Sequence, residues 1–333
     1  MRWLVRGAVA AAVLAGLLGL ARVIEGGLME YAQRVLLLAG INVILAVGLN
    51  LINGTTGQFS IGHAGFMAVG AYTCAWVGQH LAPGVAGAVG AGAIADAISL
   101  NAALVSGAVT AALAGVIVGV PSLRLKGDYL AIVTLGFGEI IRIVFNNWKA
   151  LGGATGYSGE DPAGLPAWTT LFWVYAWVVV IITVVRNVTF SQTGRSLIAI
   201  REDEVAAEAM ATPTTRLKVV AFVLSAAAAG VAGGLFAHLQ AGIRPEDFRL
   251  EKSIDMIVMI IVGGLGSITG AVVGGVFMAV ALELMRDLEE YRLVLYALLL
   301  ILIMILRPEG LFGSRELSFG WLRRKARGGE PAS

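Results

Sequence analysis

The sequence predicts an all-α polytopic membrane protein with about eight to ten transmembrane segments, some of them broken helices, in one domain spanning residues 1–333. Three observations carry this prediction. Of the 333 residues 58% are hydrophobic and 14% charged, with a mean hydropathy of +0.83, against roughly 25% charge in an ordinary soluble domain. Apolar runs of about bilayer length recur along the whole chain. Two runs are interrupted by Gly/Ser/Thr segments rather than by charged connectors. The net charge of +2 gives no footing for nucleic-acid binding, and the single cysteine, Cys74, excludes an intrachain disulfide or a cysteine-based metal site. The 44 glycines suit close helix packing in lipid better than disorder.

The first run, Gly7 to Ala21, follows Arg2 and Arg6. No small-x-small cleavage site follows it before Arg22, so it reads as a retained helix with a cytoplasmic N-terminus, leading to an outer connector that ends at residue 34. Val35 to Ile52 returns inward, and the polar break Asn53-Gly54-Thr55-Thr56-Gly57-Gln58 follows. Ile61 to Leu81 then runs outward. Pro83 to Leu100, small and apolar but holding Asp96, reads as a re-entrant segment or a short helix pair. Asn101 to Val120 carries Ala103, Gly107, Ala111, Gly115 and Gly119, a small residue at every fourth position, which lets a neighbouring helix approach closely.

Arg124 and Lys126 place the next connector in the cytoplasm, and Tyr129 to Trp148 crosses outward with Glu139 and Arg142 inside it. Lys149 to Ala167 is a Gly/Pro-rich outer loop. Trp168 to Val185 crosses back with Trp168, Trp173, Tyr175 and Trp177 toward its outer half, as an interfacial aromatic belt. Val219 to Leu239, Ile254 to Met285 and Leu293 to Leu306 are the remaining runs. Ile254 to Met285 is too long for one straight span, and Gly263-Gly264-Leu265-Gly266-Ser267 divides it into two half-length pieces. The tail over 307–333, with Arg307, Arg315, Arg323, Arg324, Lys325 and Arg327, is cytoplasmic. The breaks at Gly54 to Gly62 and Gly263 to Gly270 are alike in kind and point to internal symmetry, an inverted-repeat bundle with a pathway at the midplane.

The richest polar passage lies in the cytoplasmic loop over 186–218: Gly194, Arg195 and Arg201, then Glu202, Asp203 and Glu204, then a small-residue helix stopped by Pro213. The three acids suit the positive end of a helix dipole. Val205, Ala206, Ala209 and Met210 share one arc of the wheel, with Glu204 and Glu208 opposite. So short a helix needs a surface to lie against. The expected docking face is Val205, Ala206, Ala209 and Met210, with Arg201 and Glu204 at the rim.

Candidate pathway residues are Asn50, Asn53, Thr55, Gln58, Ser60 and His63 around the first break, with Thr56 among them, and Glu139 one turn from Arg142. Broken backbone at membrane depth is tolerated where protein or a watery cavity satisfies it, so the polar cluster either lines a route for a zwitterion or satisfies the freed backbone. Glu139 and Arg142 each cost roughly 2.5–3.5 kcal/mol or more at the bilayer centre if unpaired, which makes them a relay or an i, i+3 ion pair facing the bundle. His63 lacks the neighbouring Glu or His of a metal site, and no metal is expected. No Gly-x-x-x-x-Gly-Lys-Ser/Thr loop and no Gly-x-Ser-x-Gly elbow occurs, so neither nucleotide hydrolysis nor other catalysis is expected of this chain.

Two long motifs carry a family resemblance. Gly48-Leu49-Asn50-Leu51-Ile52-Asn53-Gly54-Thr55-Thr56-Gly57-Gln58-Phe59-Ser60-Ile61-Gly62-His63-Ala64-Gly65-Phe66 closely resembles the signature of bacterial branched-chain amino acid ABC permeases. The run from Leu125 to Arg142 is similar to that of the LivM-type subunit rather than its LivH-type partner. The loop from Gly194 to Met210, the Gly263 to Ser267 break and Arg307-Pro308-Glu309-Gly310-Leu311 also match, so the likeness extends from about Val35 to Phe312.

The resemblance implies one of two membrane subunits of an importer in the bacterial inner membrane. It further implies a LivH-type second permease, two cytosolic ATPases holding ATP and Mg, and an external substrate-binding protein, with lipid around the spans and no cofactor on this chain. It makes the 186–218 loop the ATPase-coupling loop of an alternating-access transporter. Two departures stand out. Ala211 occupies a position where the family usually has Gly, and the family's outer Thr-Gly-Gly-x-x-Gly element is here Leu151-Gly152-Gly153-Ala154-Thr155-Gly156. Alternatives are an ion-coupled amino acid transporter using Glu139 and Arg142, a structural subunit without a pathway, or an ABC permease for urea, short amides or aromatic acids.

Overall fold

A helix that is apolar on every face runs through the middle of the molecule. α1 (Glu30–Asn50) is buried from Ala39 to Asn50, as a helix with no polar side must be in a bundle core. It widens into a π-helical turn over Leu51–Thr55. There the Thr56 hydroxyl donates to the Leu51 carbonyl at 2.9 Å and that of Thr55 to the Asn50 carbonyl at 3.5 Å, satisfying acceptors that the widened turn frees. This computed structural model describes residues 29–285 apart from 91, 126 and 160–164, with scattered positions from 16 to 27 and from 291 to 313. The first run falls mostly and Leu293 to Leu306 half outside the described residues, and Arg2, Arg6 and the basic residues from Arg315 onward fall wholly outside them.

α2 (His63–Val89) and α3 (Ala93–Ser122) follow. The expected boundary at Leu81 is corrected here: α2 runs through Pro83, and the segment from Pro83 to Leu100, expected as re-entrant or as a short helix pair, divides between the end of α2 and the start of α3. The chain turns instead at Gly90 and Gly92, whose φ angles of 90° and 153° lie where other residues rarely go.

The small-residue stripe of α3 is the packing face it was expected to be. α2, α3 and α8 (Thr214–Gln240) meet where three glycines face one another. A Cβ on Gly107 would stand 2.8 Å from the Gly70 carbonyl oxygen, and one on Gly230 2.6 Å from the Gly107 carbonyl oxygen, while Gly70 lies directly against the Gly230 backbone. Lower on the same seam Gly115 faces Ala226 and Gly119 faces Phe222.

α4 (Asp128–Asn147) is buried only at Leu130, Ala131, Thr134 and Phe145. α5 (Leu171–Thr189) lies on α1, with the Tyr175 hydroxyl donating to the Leu36 carbonyl at 3.2 Å. Two of the four aromatics expected at the interface also bind α3: the Trp168 indole N–H donates to Asp96 at 3.1 Å and that of Trp177 to Asn101 at 3.3 Å. α6 (Gln192–Glu202) and α7 (Glu204–Ala209) form the polar loop. After α8 the chain pairs Ile243 with Tyr157 in an isolated antiparallel bridge and makes a 3₁₀ turn over Pro245–Phe248. α9 (Leu250–Gly263) and α10 (Ile268–Leu284) are the two half-length pieces, divided at the glycine break.

No strand occurs among the described residues. The helices over Glu30–Thr55, Ala93–Ser122, Leu171–Thr189 and Thr214–Gln240 are long and apolar enough to cross a bilayer. The chain is an all-α, multi-pass membrane protein.

Candidate functional site

The two breaks lie against each other. The Asn50 side chain accepts from the Gly266 N–H at 2.9 Å and donates to the Ser267 carbonyl at 3.2 Å. Gly54 leaves no room for a Cβ beside the Gly266 backbone. Gly264 packs in turn against Gly310 and Gly313, and the Leu311 N–H donates to the Val262 carbonyl at 2.8 Å. Gly310 and Leu311, from the Arg307 to Leu311 motif, are thus in direct contact with the second break. α1 rises about 31 Å over its 21 residues, and the first break comes at its far end, next to α6.

Within the first break the amides serve the backbone. Asn53 exchanges two hydrogen bonds with Ser60, donating to its carbonyl at 3.3 Å and accepting from its N–H at 3.2 Å. Thr55 is buried against the Asn50 carbonyl, and Gln58 is half-buried. Ser60 and His63 are buried, and the Ser60 hydroxyl and His63 Nε2 have no hydrogen-bond partner among the described residues. The Ile61 N–H donates to Thr134 Oγ1 at 3.1 Å, which ties the end of the break to α4.

Beyond the break lies a cleft of about 420 Å³, lined by Gly62, Gly65, Gly138, Glu139, Arg142, Phe248 to Glu251 and Ser253. Two helix N-termini face it: that of α2, where the Ala64 N–H donates to Ser253 Oγ at 3.0 Å, and that of α9. Half-helix N-termini present positive dipole ends to anionic groups. Glu139 and Arg142 are ion-paired on the wall, with Arg142 Nε 2.9 and 3.0 Å from the two Glu139 oxygens. Their side chains are 40% and 21% exposed, so both still open into the cleft. Arg249 pairs with Glu246 at 2.6 Å, and Glu251 lies on the rim. The cleft therefore offers both signs of charge. Sequence reasoning missed Glu246, Arg249, Glu251 and Ser253. Their signal was the charged run Glu246-Asp247-Phe248-Arg249-Leu250-Glu251-Lys252 entering an apolar segment with no connector between.

The polar loop is built on two caps. The Ser191 side chain accepts from the Gly194 N–H at 3.3 Å and starts α6, and Gly194 fits beneath the Thr189 carbonyl, where no side chain would. Asp203 caps α7, accepting from the Val205 and Ala206 N–H groups at 2.9 and 3.0 Å. The acid trio thus divides: Glu202 ends α6, and only Asp203 and Glu204 serve the α7 start. The exit of α7 is a Schellman turn, with the Thr212 N–H donating to the Ala207 carbonyl at 3.1 Å and that of Ala211 to the Glu208 carbonyl at 2.9 Å. Ala211 adopts the left-handed conformation, φ 59°, that this turn demands.

α7 is held from one side. Glu204 pairs with Lys218 at 2.6 Å, and the Lys218 side chain is only 2% exposed. Glu208 accepts from the Thr214 hydroxyl at 2.8 Å, and Ala207 is buried. Val205 and Met210 stand 69% and 81% exposed, with Ala206 and Ala209 open beside them and Arg195 exposed on α6. Glu204, expected at the rim of the docking face, instead anchors α7 to α8. Arg201, expected beside it there, turns toward the bundle, donating to the Gly54 carbonyl at 3.0 Å and to Glu202 at 2.8 Å. No cluster of potential metal ligands occurs among the described residues.

Residues 31–305 match the family model described as branched-chain amino acid transport system / permease component. The chain is 35% identical over 301 residues to the high-affinity branched-chain amino acid transport system permease protein LivM of Salmonella typhimurium, a match covering 81% of this chain and 67% of that protein. It is 25% identical over 337 residues to a probable LivM of Methanocaldococcus jannaschii, covering 89% of this chain and 97% of that one. The LivH permease of Escherichia coli is similar over a shorter stretch, 28% identical over 164 residues, covering 49% of this chain and 53% of LivH. No solved structure matches.

Proposed function

The chain belongs to the branched-chain amino acid transport permease family, and from that membership we propose that it is one of two membrane subunits of an ATP-driven importer for branched-chain or related amino acids. A LivH-type permease is its partner, in keeping with similarity to both LivM and LivH proteins. Two separate ATPases supply the energy, since the chain has no P-loop of its own, and a binding protein outside delivers the cargo. The chain lies in the cytoplasmic membrane with the α6–α7 side and both termini inward.

The observation that carries this reading is α7: a two-turn helix anchored by Glu204, Glu208 and Ala207 on one side and fully open at Val205 and Met210 on the other. Such a helix is a peg for an external partner, and the partner that an importer without its own nucleotide site requires is the ATPase. The charged cleft supplies the second half of the mechanism. Ion pairs within membrane spans face the bundle interior or a watery cavity, not lipid. We therefore read the α4 wall with Glu139 and Arg142 as half of a pathway shared with the second permease. Carboxylate-compatible helix ends and an acidic side chain in one cleft suit a zwitterion.

Reconstitution with the second permease, both ATPases and the binding protein tests the reading. Uptake of labelled leucine, isoleucine or valine is expected only with all components and ATP. Uptake by this chain without any ATPase would instead establish the ion-coupled alternative, and uptake of urea or short amides alone would reassign the cargo.

A further inference from the structure

We infer that Arg201 is the positioning residue through which movement of the cytoplasmic helices reaches the paired helix breaks. This rests on the importer reading above and adds to it how the coupling loop acts on the pathway. Glycine leaves room for the Arg201 side chain at two places. A Cβ on Gly57 would stand 2.6 Å from Arg201 Cγ, and one on Gly266 3.0 Å from Arg201 Nη1. Both glycines have positive φ, 69° and 85°. The stem of Arg201 thus crosses the first break, and its head lies where the two breaks meet. Nη1 donates to the Gly54 carbonyl at 3.0 Å, and Glu202 holds Nη2 at 2.8 Å, which fixes the plane of the guanidinium.

The second link in the chain is Asn50. It accepts from Gly266 and donates to Ser267, so the first break, which Arg201 holds at Gly54, is bonded to the second. On the other side, Arg201 is two residues from Asp203, the cap of α7, whose Glu204 is bound to the buried Lys218 of α8. A push on the open face of α7 therefore has a rigid route to both breaks. An i, i+1 surface pair such as Arg201–Glu202 has little reason of its own to sit in a double glycine notch. A guanidinium serves here where a lysine serves less well, because its planar fork can hold a carbonyl and a carboxylate together.

The experiment uses the full reconstituted complex and reads uptake per ATP hydrolysed. Arg201→Ala is expected to keep ATPase co-purification and to hydrolyse ATP within about twofold of wild type, while uptake per ATP falls by tenfold or more. Arg201→Lys, which keeps the charge but has a single nitrogen and no planar fork, is expected to recover part of that ratio. An unchanged ratio in Arg201→Ala would overturn the inference, and so would uptake and hydrolysis falling together, since that marks a merely structural role. A spin-label pair at Ala199 on α6 and Leu265 in the second break, in the otherwise wild-type complex, serves if the alanine variant does not assemble. Their separation is expected to stay constant between the nucleotide-free and ATP-trapped states while α7 shifts relative to α4. A changing separation would sink the rigid link. Failure of the importer reading itself is distinguishable, because the wild-type complex would then show no ATP-dependent uptake.

Discussion

Glu139 and Arg142 satisfy each other on the cleft wall, so removing one leaves the charge of the other without that partner. Glu139→Gln and Arg142→Gln are each expected to lower uptake by the reconstituted importer roughly ten- to hundredfold, about 1.4–2.8 kcal/mol. The swapped pair, Glu139→Arg with Arg142→Glu, separates two causes. If pairing alone matters, the swap restores most of the activity; if each charge meets one end of a zwitterion, it does not. A different residue carries local strain. Ala211 occupies the left-handed turn that closes α7, a conformation that disfavours a Cβ by roughly 1–2 kcal/mol. Ala211→Gly is therefore expected to raise stability by about 0.5–1 kcal/mol net of the added freedom of the unfolded chain, seen as a higher unfolding temperature in detergent. A drop would show that the turn is not strained.

Among the elements, α7 permits a clean separation of fold from docking. Val205→Asp and Met210→Asp alter side chains that touch little of this chain, so each is expected to leave the unfolding temperature unchanged while abolishing ATPase co-purification. Asp203→Ala instead removes the cap and is expected to weaken the helix by about 1 kcal/mol. The existence and face of this helix were legible in sequence, because a proline stop, an acid-rich start and one apolar arc are local signals. The partners of Arg201 and Glu204 were not, since Gly54 and Lys218 reach them only through the fold. The same division holds elsewhere. The breaks of α1 and of α9–α10 could be located from their glycines, but their mutual contact through Asn50 is a tertiary fact. The end of α2 was misplaced because Pro83 is a strong local punctuator, yet the helix continues through it for two more largely exposed turns to Val89. The cleft went unseen because half of its charges lie on the 246–251 stretch, whose depth only the fold determines.

At the scale of the whole molecule, the bundle divides by how closely its helices approach. Gly230→Val is expected to force α8 off α2 and α3 and to cost 1–3 kcal/mol or more, measured as loss of folded yield and a lower unfolding temperature. Gly136→Ala is the matched control: nothing lies within 4 Å of the added Cβ, and a helix-interior Gly→Ala change is worth roughly 0.5–1 kcal/mol in the stabilising direction.

The meeting of Gly70, Gly107 and Gly230 has a mechanical consequence. Side chains can change rotamer to let helices slide, but three bare backbones in contact have nothing to rearrange. α2, α3 and α8 thus form a frame that resists the sliding of one helix on another. α4 is joined to that frame by contacts of the same kind, since a Cβ on Gly62 would stand 2.0 Å from the Thr134 carbonyl oxygen and one on Gly65 2.9 Å from Gly138 Cα, so the charged wall of the cleft is held in place on it.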